Sequence, residues 1–205
     1  MARLSRDFYA QNTVCAAQQL LGKILVRVWD GTILAGRITE TEAYIGRCDK
    51  ACHAYNYRRT TRTDALFQPP GFAYIYLIYG LHHCLNLVTE QEGEPAAVLI
   101  RSLEAVAGEE EMIRLRYGEG SCLPARRRNL LNGPGKVCQA LHLTLTENRA
   151  DLTGSSLFVC ESPEDIGLMP LSLPREEVCA GPRIGVDYAE EARWFPWRFY
   201  LRREE

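Results

Sequence analysis

The sequence predicts an α+β fold: a single domain over residues 1–205, built on a curved, mainly antiparallel β-sheet, with flanking helices and a protruding β-hairpin. Three observations lead there. Turn signals separate β-rich runs at Asp30-Gly31 and again at Gly80, so neighbouring strands are joined by short hairpins rather than long crossovers. Strand-like runs dominate the middle of the chain, and helical periods sit at intervals around them. No internal repeat or low-complexity segment divides the 205 residues, a length suited to one sizeable core.

The elements follow in order. Residues 5–21 read as one amphipathic helix stopped by Gly22. KILVRVW and TILAGRITETEAYI form the first hairpin. Residues 46–71 are irregular, rich in Arg and Thr, and end in Pro69-Pro70-Gly71; a connection that long inside a compact domain is usually functional. AYIYLIY and CLNLVT make the second hairpin, around Gly80, and AAVLIRSL is a further strand. SLEAVAGEEEMIRLRYG switches to a helical period, Arg-rich residues 121–130 read as a loop, and GPGKVCQALHL reads as a helix with Pro134 in its first turn. RWFPWRFYL is expected to be an aromatic strand that closes the core.

Composition narrows the class. At 46% hydrophobic and 24% charged residues, the chain has the profile of an ordinary globular protein. There is no run of 18 apolar residues, so no membrane partner is expected, and the N-terminus lacks the apolar stretch of a signal peptide, which predicts an intracellular protein. The eight cysteines are therefore expected as free, mostly buried thiols. Cys48, Cys52 and His53 with His82, His83 and Cys84 contain no CxxC pair and fit no zinc-finger spacing, so no metal is expected. GPGK lacks the full GxxxxGK[ST] pattern, which argues against a nucleoside triphosphate site. A net charge of −2 argues against a generic nucleic-acid binder. Arginines nevertheless cluster at Arg58, Arg59 and Arg62 and at Arg126, Arg127 and Arg128, either as a locally basic face or as solvated loops.

The chemistry-bearing residues lie on the hairpins. In RITETEAYI, strand alternation projects Ile38, Glu40, Glu42 and Tyr44 to one side, forming either the wall of a polar, aromatic cleft or a wet edge strand. Tyr74 and Tyr76 share a face of the second hairpin. Tyr79, just before Gly80, and Leu81 just after it make an apolar wedge at the hairpin tip, unless a neighbouring loop covers them. Asn86 sits between Leu85 and Leu87 and must find hydrogen-bond partners or face a ligand. Arg101 ends the apolar run VLIR and needs an anion, for which Glu42 is an attractive candidate. Taken singly, each of these, like His53, fits a structural role as well as a functional one.

Taken together and in order, ETEAY, His53, RTTRTDALFQPPG, AYIYLIYG, CLN, EPAAVLIRSLE, GPGKVCQAL, PRIGVDY and PWRFYL resemble the alkyladenine (3-methyladenine, N-methylpurine) DNA glycosylase family, from about Cys15 to Leu201. The resemblance implies a base-excision repair enzyme that flips damaged purines out of double-stranded DNA. It implies that Glu42 is the general base activating a water for attack on C1′, and that Arg101 helps hold that water. It places Tyr44, His53, Tyr76 and Asn86 in the base pocket, with Asn86 crowding the N2 amino group of normal guanine, and makes Tyr79 and Leu81 the intercalating wedge. Leu81 stands where many members carry Met and keeps the wedge apolar. No cofactor is implied. The partner is duplex DNA containing alkylated or deaminated purines, and a cytoplasmic, nucleoid-associated bacterial-type monomer is expected.

The residues bear on mechanism independently. Lysine occurs only at Lys23, Lys50 and Lys136, outside the carboxylate–aromatic cluster, so a Schiff-base lyase step is not expected and a monofunctional hydrolase is. Two other readings stay open at this stage. One is a non-catalytic binder of damaged or single-stranded nucleic acid. The other is a sugar hydrolase using Glu40 and Glu42 as its acid pair, which leaves Tyr79 without a task.

Overall fold

Strands β1 (Ile24–Trp29) and β2 (Thr32–Ile45) pair antiparallel across a two-residue turn, in a computed structural model that describes residues 2–120, 123–173 and 175–203. The turn needs left-handed backbone at both positions, which Asp30 (φ 45°) and Gly31 (φ 75°) supply. The second predicted hairpin is also present, as β3 (Ala73–Ile78) and β4 (His82–Val88). β5 (Ala96–Ala107) pairs with both β4 and β2, which places β2 near the centre of the sheet. β6 (Leu157–Cys160) extends the sheet beyond β1. β8 (Arg198–Arg203) pairs with β2 along the stretch that β1 leaves free, and β7 (Glu176–Gly181) pairs with β8. The order is β3-β4-β5-β2-β1-β6, every pairing is antiparallel, and the domain is α+β as expected.

Several elements differ from the sequence expectation. The N-terminal segment is two helices, α1 (Arg6–Tyr9) and α2 (Thr13–Gln19). Asn12 leaves helical backbone, and its side chain accepts from the Val14 and Cys15 amides, so a local cap wins over apolar periodicity. SLEAVA continues β5 instead of starting a helix; Gly108, at φ 74°, turns the chain and α3 covers only Glu109–Tyr117. Pro124–Arg128, expected in a loop, is a short helix, α4. Helix α5 (Pro134–Ala140) begins on Pro134 as expected. The aromatic tail is split, with a 3₁₀ turn over Glu190–Trp194 and only Arg198–Arg203 in strand. Its buried Phe199 joins the core, worth about 1.5–3 kcal/mol for a side chain of that size.

The main core fills one face of the sheet, where α2 and α5 pack on Leu25, Leu34, Ile38, Ala43, Leu85, Val98 and Ile100. The seven described cysteines are free thiols, four of them buried; Cys122 lies outside the described residues. Among the described residues no helix is long and apolar enough to cross a membrane.

One irregularity decides which residues reach the opposite face. Ile38 lies in the main core, contrary to the expectation that it shares a face with Glu42. The β2–β5 register shifts on both sides of Glu40. Before the shift the core-facing residues are Leu34 and Ile38; after it, Ala43 faces the core and the Thr41 hydroxyl donates to the Ala17 carbonyl on α2. β5 changes phase with its partner, from Leu103 to Ile100 and Val98. The strand is thus re-aimed, as such irregularities commonly do beside functional sites.

Candidate active site

Cross-strand register lines up the residues singled out from sequence. Tyr74 on β3 pairs with Asn86 on β4, Asn86 with Leu99 on β5, Leu99 with Glu42 on β2, and Glu42 with Arg198 on β8. The next row carries Tyr44 opposite Ala97. This face is roofed by the irregular connection after β2 and by the 182–189 segment before β8. Together they enclose a cavity of about 190 Å3 lined by Tyr44, His53, Tyr76, Asn86, Arg101 and Tyr79, among others.

Glu42 lies immediately behind this lining and is fully buried. Its Oε1 accepts the Ile184 amide at 2.8 Å. Its Oε2 accepts the Tyr44 hydroxyl at 2.7 Å and Arg101 Nη1 at 3.3 Å. All three donors belong to residues that line the cavity. Burial pushes the Glu42 carboxyl up from its ordinary range, and Arg101, the Ile184 amide and Tyr44 pull it back down. The expected Arg101–Glu42 pair is present, but Arg101 is shared: its Nε donates to Glu40 Oε1 at 3.1 Å.

The aromatic walls interlock. His53 Nδ1 lies 3.0 Å from the Tyr74 hydroxyl, and its ring meets Tyr76 edge-on at 4.6 Å. Tyr74 and Tyr76 lie 5.4 Å apart. Burial, with the Arg62 charge second, lowers His53 to about 4, so the imidazole is neutral at physiological pH. Burial raises the Tyr74 phenol to about 12. Asn86 donates to the Tyr74 carbonyl at 3.1 Å, which fixes its amide at the cavity wall.

Tyr79 stands at the hairpin tip, 86% exposed, in left-handed backbone at φ 52°. A bulky non-glycine residue seldom adopts that conformation, and such strain collects at functional positions. Leu81, 75% exposed, shares the tip but does not line the cavity. The sheet therefore gathers Glu42, Tyr44, His53, Tyr76, Asn86 and Arg101 around one space, with Tyr79 at its rim.

Several contributors carried no assigned role in the sequence reading. Strand phase pairs Tyr74 with Tyr76 but gives no sign of its contact with His53, whose ring it orients. Ile184, Gly185, Val186 and Tyr188 complete the lining from within PRIGVDY. Arg183 holds that segment in place. Its guanidinium forms a fully buried pair with Asp49, at 2.5 and 2.7 Å, and donates to the carbonyls of Ala43 and Ala192. It lies 4.6 Å from the Tyr44 ring centroid and 5.3 Å from that of Trp197. A backbone donor such as the Ile184 amide leaves no trace in residue type, so no sequence signal pointed to it.

Known proteins are similar to this chain over nearly its whole length. A family model described as methylpurine-DNA glycosylase (MPG) matches residues 7–205. A relative from Bacillus cytotoxicus is 47% identical over 195 residues, covering 95% of this chain and 94% of its own length. A relative from Clostridium perfringens is 46% identical over 204 residues, covering 98% and 96%. Both carry the name "Putative 3-methyladenine DNA glycosylase".

Proposed function

The chain belongs to the methylpurine-DNA glycosylase family, and on that footing we propose that it excises alkylated and deaminated purines from duplex DNA by hydrolysis. Glu42 is the general base. It takes a proton from a water that Arg101 helps to hold, the water oxygen bonds to C1′, and the N-glycosidic electron pair leaves with the base. An abasic site remains. Alkylation at N3 or N7 makes the purine cationic and already weakens that bond, so the protein has to supply a base, a positioned water and a fitted slot.

Base flipping costs a few kcal/mol, which stacking must return on both sides of the event. Tyr44 and Tyr76 stack on the everted base, at about 1–3 kcal/mol per stacked base. Tyr79, with Leu81 beside it, fills the gap left in the duplex. Asn86 crowds the N2 amino group of guanine and so rejects that normal base. Neutral His53 avoids repelling a cationic lesion. Arg58 and Arg62, which have no acidic partner among the described residues, are suited to the phosphates, whereas Arg127 is occupied by Glu109 and Glu110.

The carrying observation is a fully buried carboxylate held by three donors, each from a residue that lines an aromatic cavity. A monofunctional reaction is supported by the lysines: Lys23 pairs with Glu161, Lys50 with Glu190 and Glu191, and Lys136 bonds Asn132, all outside the lining. The enzyme acts as a monomer in the bacterial cytoplasm. Base release from duplexes carrying 3-methyladenine, 7-methylguanine, hypoxanthine or ethenoadenine tests the proposal directly. Wild type should release at least one of these bases without a borohydride-trapped adduct. Failure on all four, or a trapped adduct, would refute it.

A further inference from the structure

Glu40 and Glu42 share one guanidinium but occupy different surroundings. Arg101 donates Nε to Glu40 Oε1 at 3.1 Å and Nη1 to Glu42 Oε2 at 3.3 Å. Arg198, from β8, donates Nη1 to the same Glu40 oxygen at 3.0 Å. Charge therefore alternates from the partly exposed Arg198 through Glu40 and Arg101 to the fully buried Glu42. A guanidinium is a rigid planar fork, so fixing its Nε edge fixes where Nη1 points. Without Glu40, Arg101 would be free to turn both donors onto Glu42.

We propose that Glu40 is a positioning residue: it holds Arg101 by the Nε edge, keeps it from closing fully on Glu42, and so leaves Glu42 basic enough to accept a proton. This rests on the proposed role of Glu42 as the base. Glu42 is faced by Tyr44 and Glu40 on its own strand, Arg101 from β5, Arg198 from β8, Arg183 with Asp49 from the roofing segments, and Cys84 from β4. Of these, only Glu40 both repels the Glu42 charge and engages its principal cation.

The two neighbours of Arg101 and Glu40 make opposite predictions, which a merely structural role would not. Single-turnover excision of hypoxanthine, a neutral base, is followed against pH. Glu40→Gln removes a like charge and releases Arg101 toward Glu42, so the acidic limb moves down by roughly half a pH unit or more, and the plateau rate falls several-fold with duplex affinity unchanged. Arg198→Gln removes a cation beside Glu40, leaves the Glu40 charge to Arg101 alone and draws Arg101 toward it, so the limb moves up. An unmoved limb and plateau in Glu40→Gln, or shifts of the same sign in both variants, would overturn the proposal. Should Glu40→Gln fail to fold, Arg198→Gln decides alone: an upward shift supports the role, and none or a downward one rejects it. Glu42→Gln separates the underlying reading. If it still excises, the base assignment fails; if it is inactive while Glu40→Gln behaves as wild type, only the positioning role fails.

Discussion

Tyr44 donates its hydroxyl to Glu42 Oε2 across 2.7 Å, from two positions further along the same strand. The bond favours the charged carboxylate and so opposes the burial that favours the neutral one. Tyr44 is therefore more than a cavity wall; its hydroxyl also biases the acid it adjoins toward the charged form.

Tyr44→Phe should keep the wall and lose the donor. The Glu42 carboxyl then rises further, the acidic limb of the excision profile moves up, and the rate at neutral pH falls. A lost hydrogen bond to a buried charge should also cost about 1.5–3 kcal/mol in urea unfolding. An unchanged profile would show that the Glu42 carboxyl is not what the limb reports.

Glu42→Gln should bind lesion-bearing duplex and fail to cut it. Loss of a general base typically costs about 10²–10⁴-fold, read as single-turnover base release beside a gel-shift affinity.

Tyr79→Ala separates recognition from stability. The ring is 86% exposed, so thermal unfolding should be unchanged. Its loss should weaken binding of lesion-bearing duplex by about 1–3 kcal/mol, roughly 5- to 150-fold in Kd by fluorescence anisotropy. Leu81→Ala should do the same to a smaller degree.

Asp49→Asn breaks the buried Arg183 pair, leaving a charge with no counter-ion in the interior. A cost of about 3–5 kcal/mol is expected in chemical denaturation, together with slower excision as the Ile184 amide loses its placement.

His53 supplies a pH signature. Its folded value, about 4, lies below the ordinary 6.5, so the unfolded chain binds the proton more readily. Its contribution is present above about pH 6.5 and is lost as pH falls toward 4, up to about 3 kcal/mol. His53→Gln should flatten the decline in urea midpoint across that window.

Where turn chemistry was explicit, the fold was legible: Asp30-Gly31 and Tyr79-Gly80 fix both hairpins. Strand alternation also identified Glu42 with Tyr44 and Tyr74 with Tyr76 as same-face pairs. It could not show that Tyr74, Asn86 and Glu42 stand in one row, because register between strands is set by the folded sheet. Asn12-Thr13 carried a capping signal that the apolar period of the first 21 residues obscured. β7 escaped notice because it pairs only with β8 and is at most half-buried, so no apolar alternation marks it.

The register break around Glu40 places one extra residue between the two core-facing stretches of β2, only a few positions before Glu42. Removing Thr39 would leave every proposed catalytic and binding residue in the polypeptide. Ile38 and Thr41 would then stand two positions apart, the spacing at which a regular strand keeps both in the core and Glu42 on the opposite face. The product of a frame-preserving deletion of one codon there should therefore still fold, and excision should slow only as far as Glu40 moves away from Arg101.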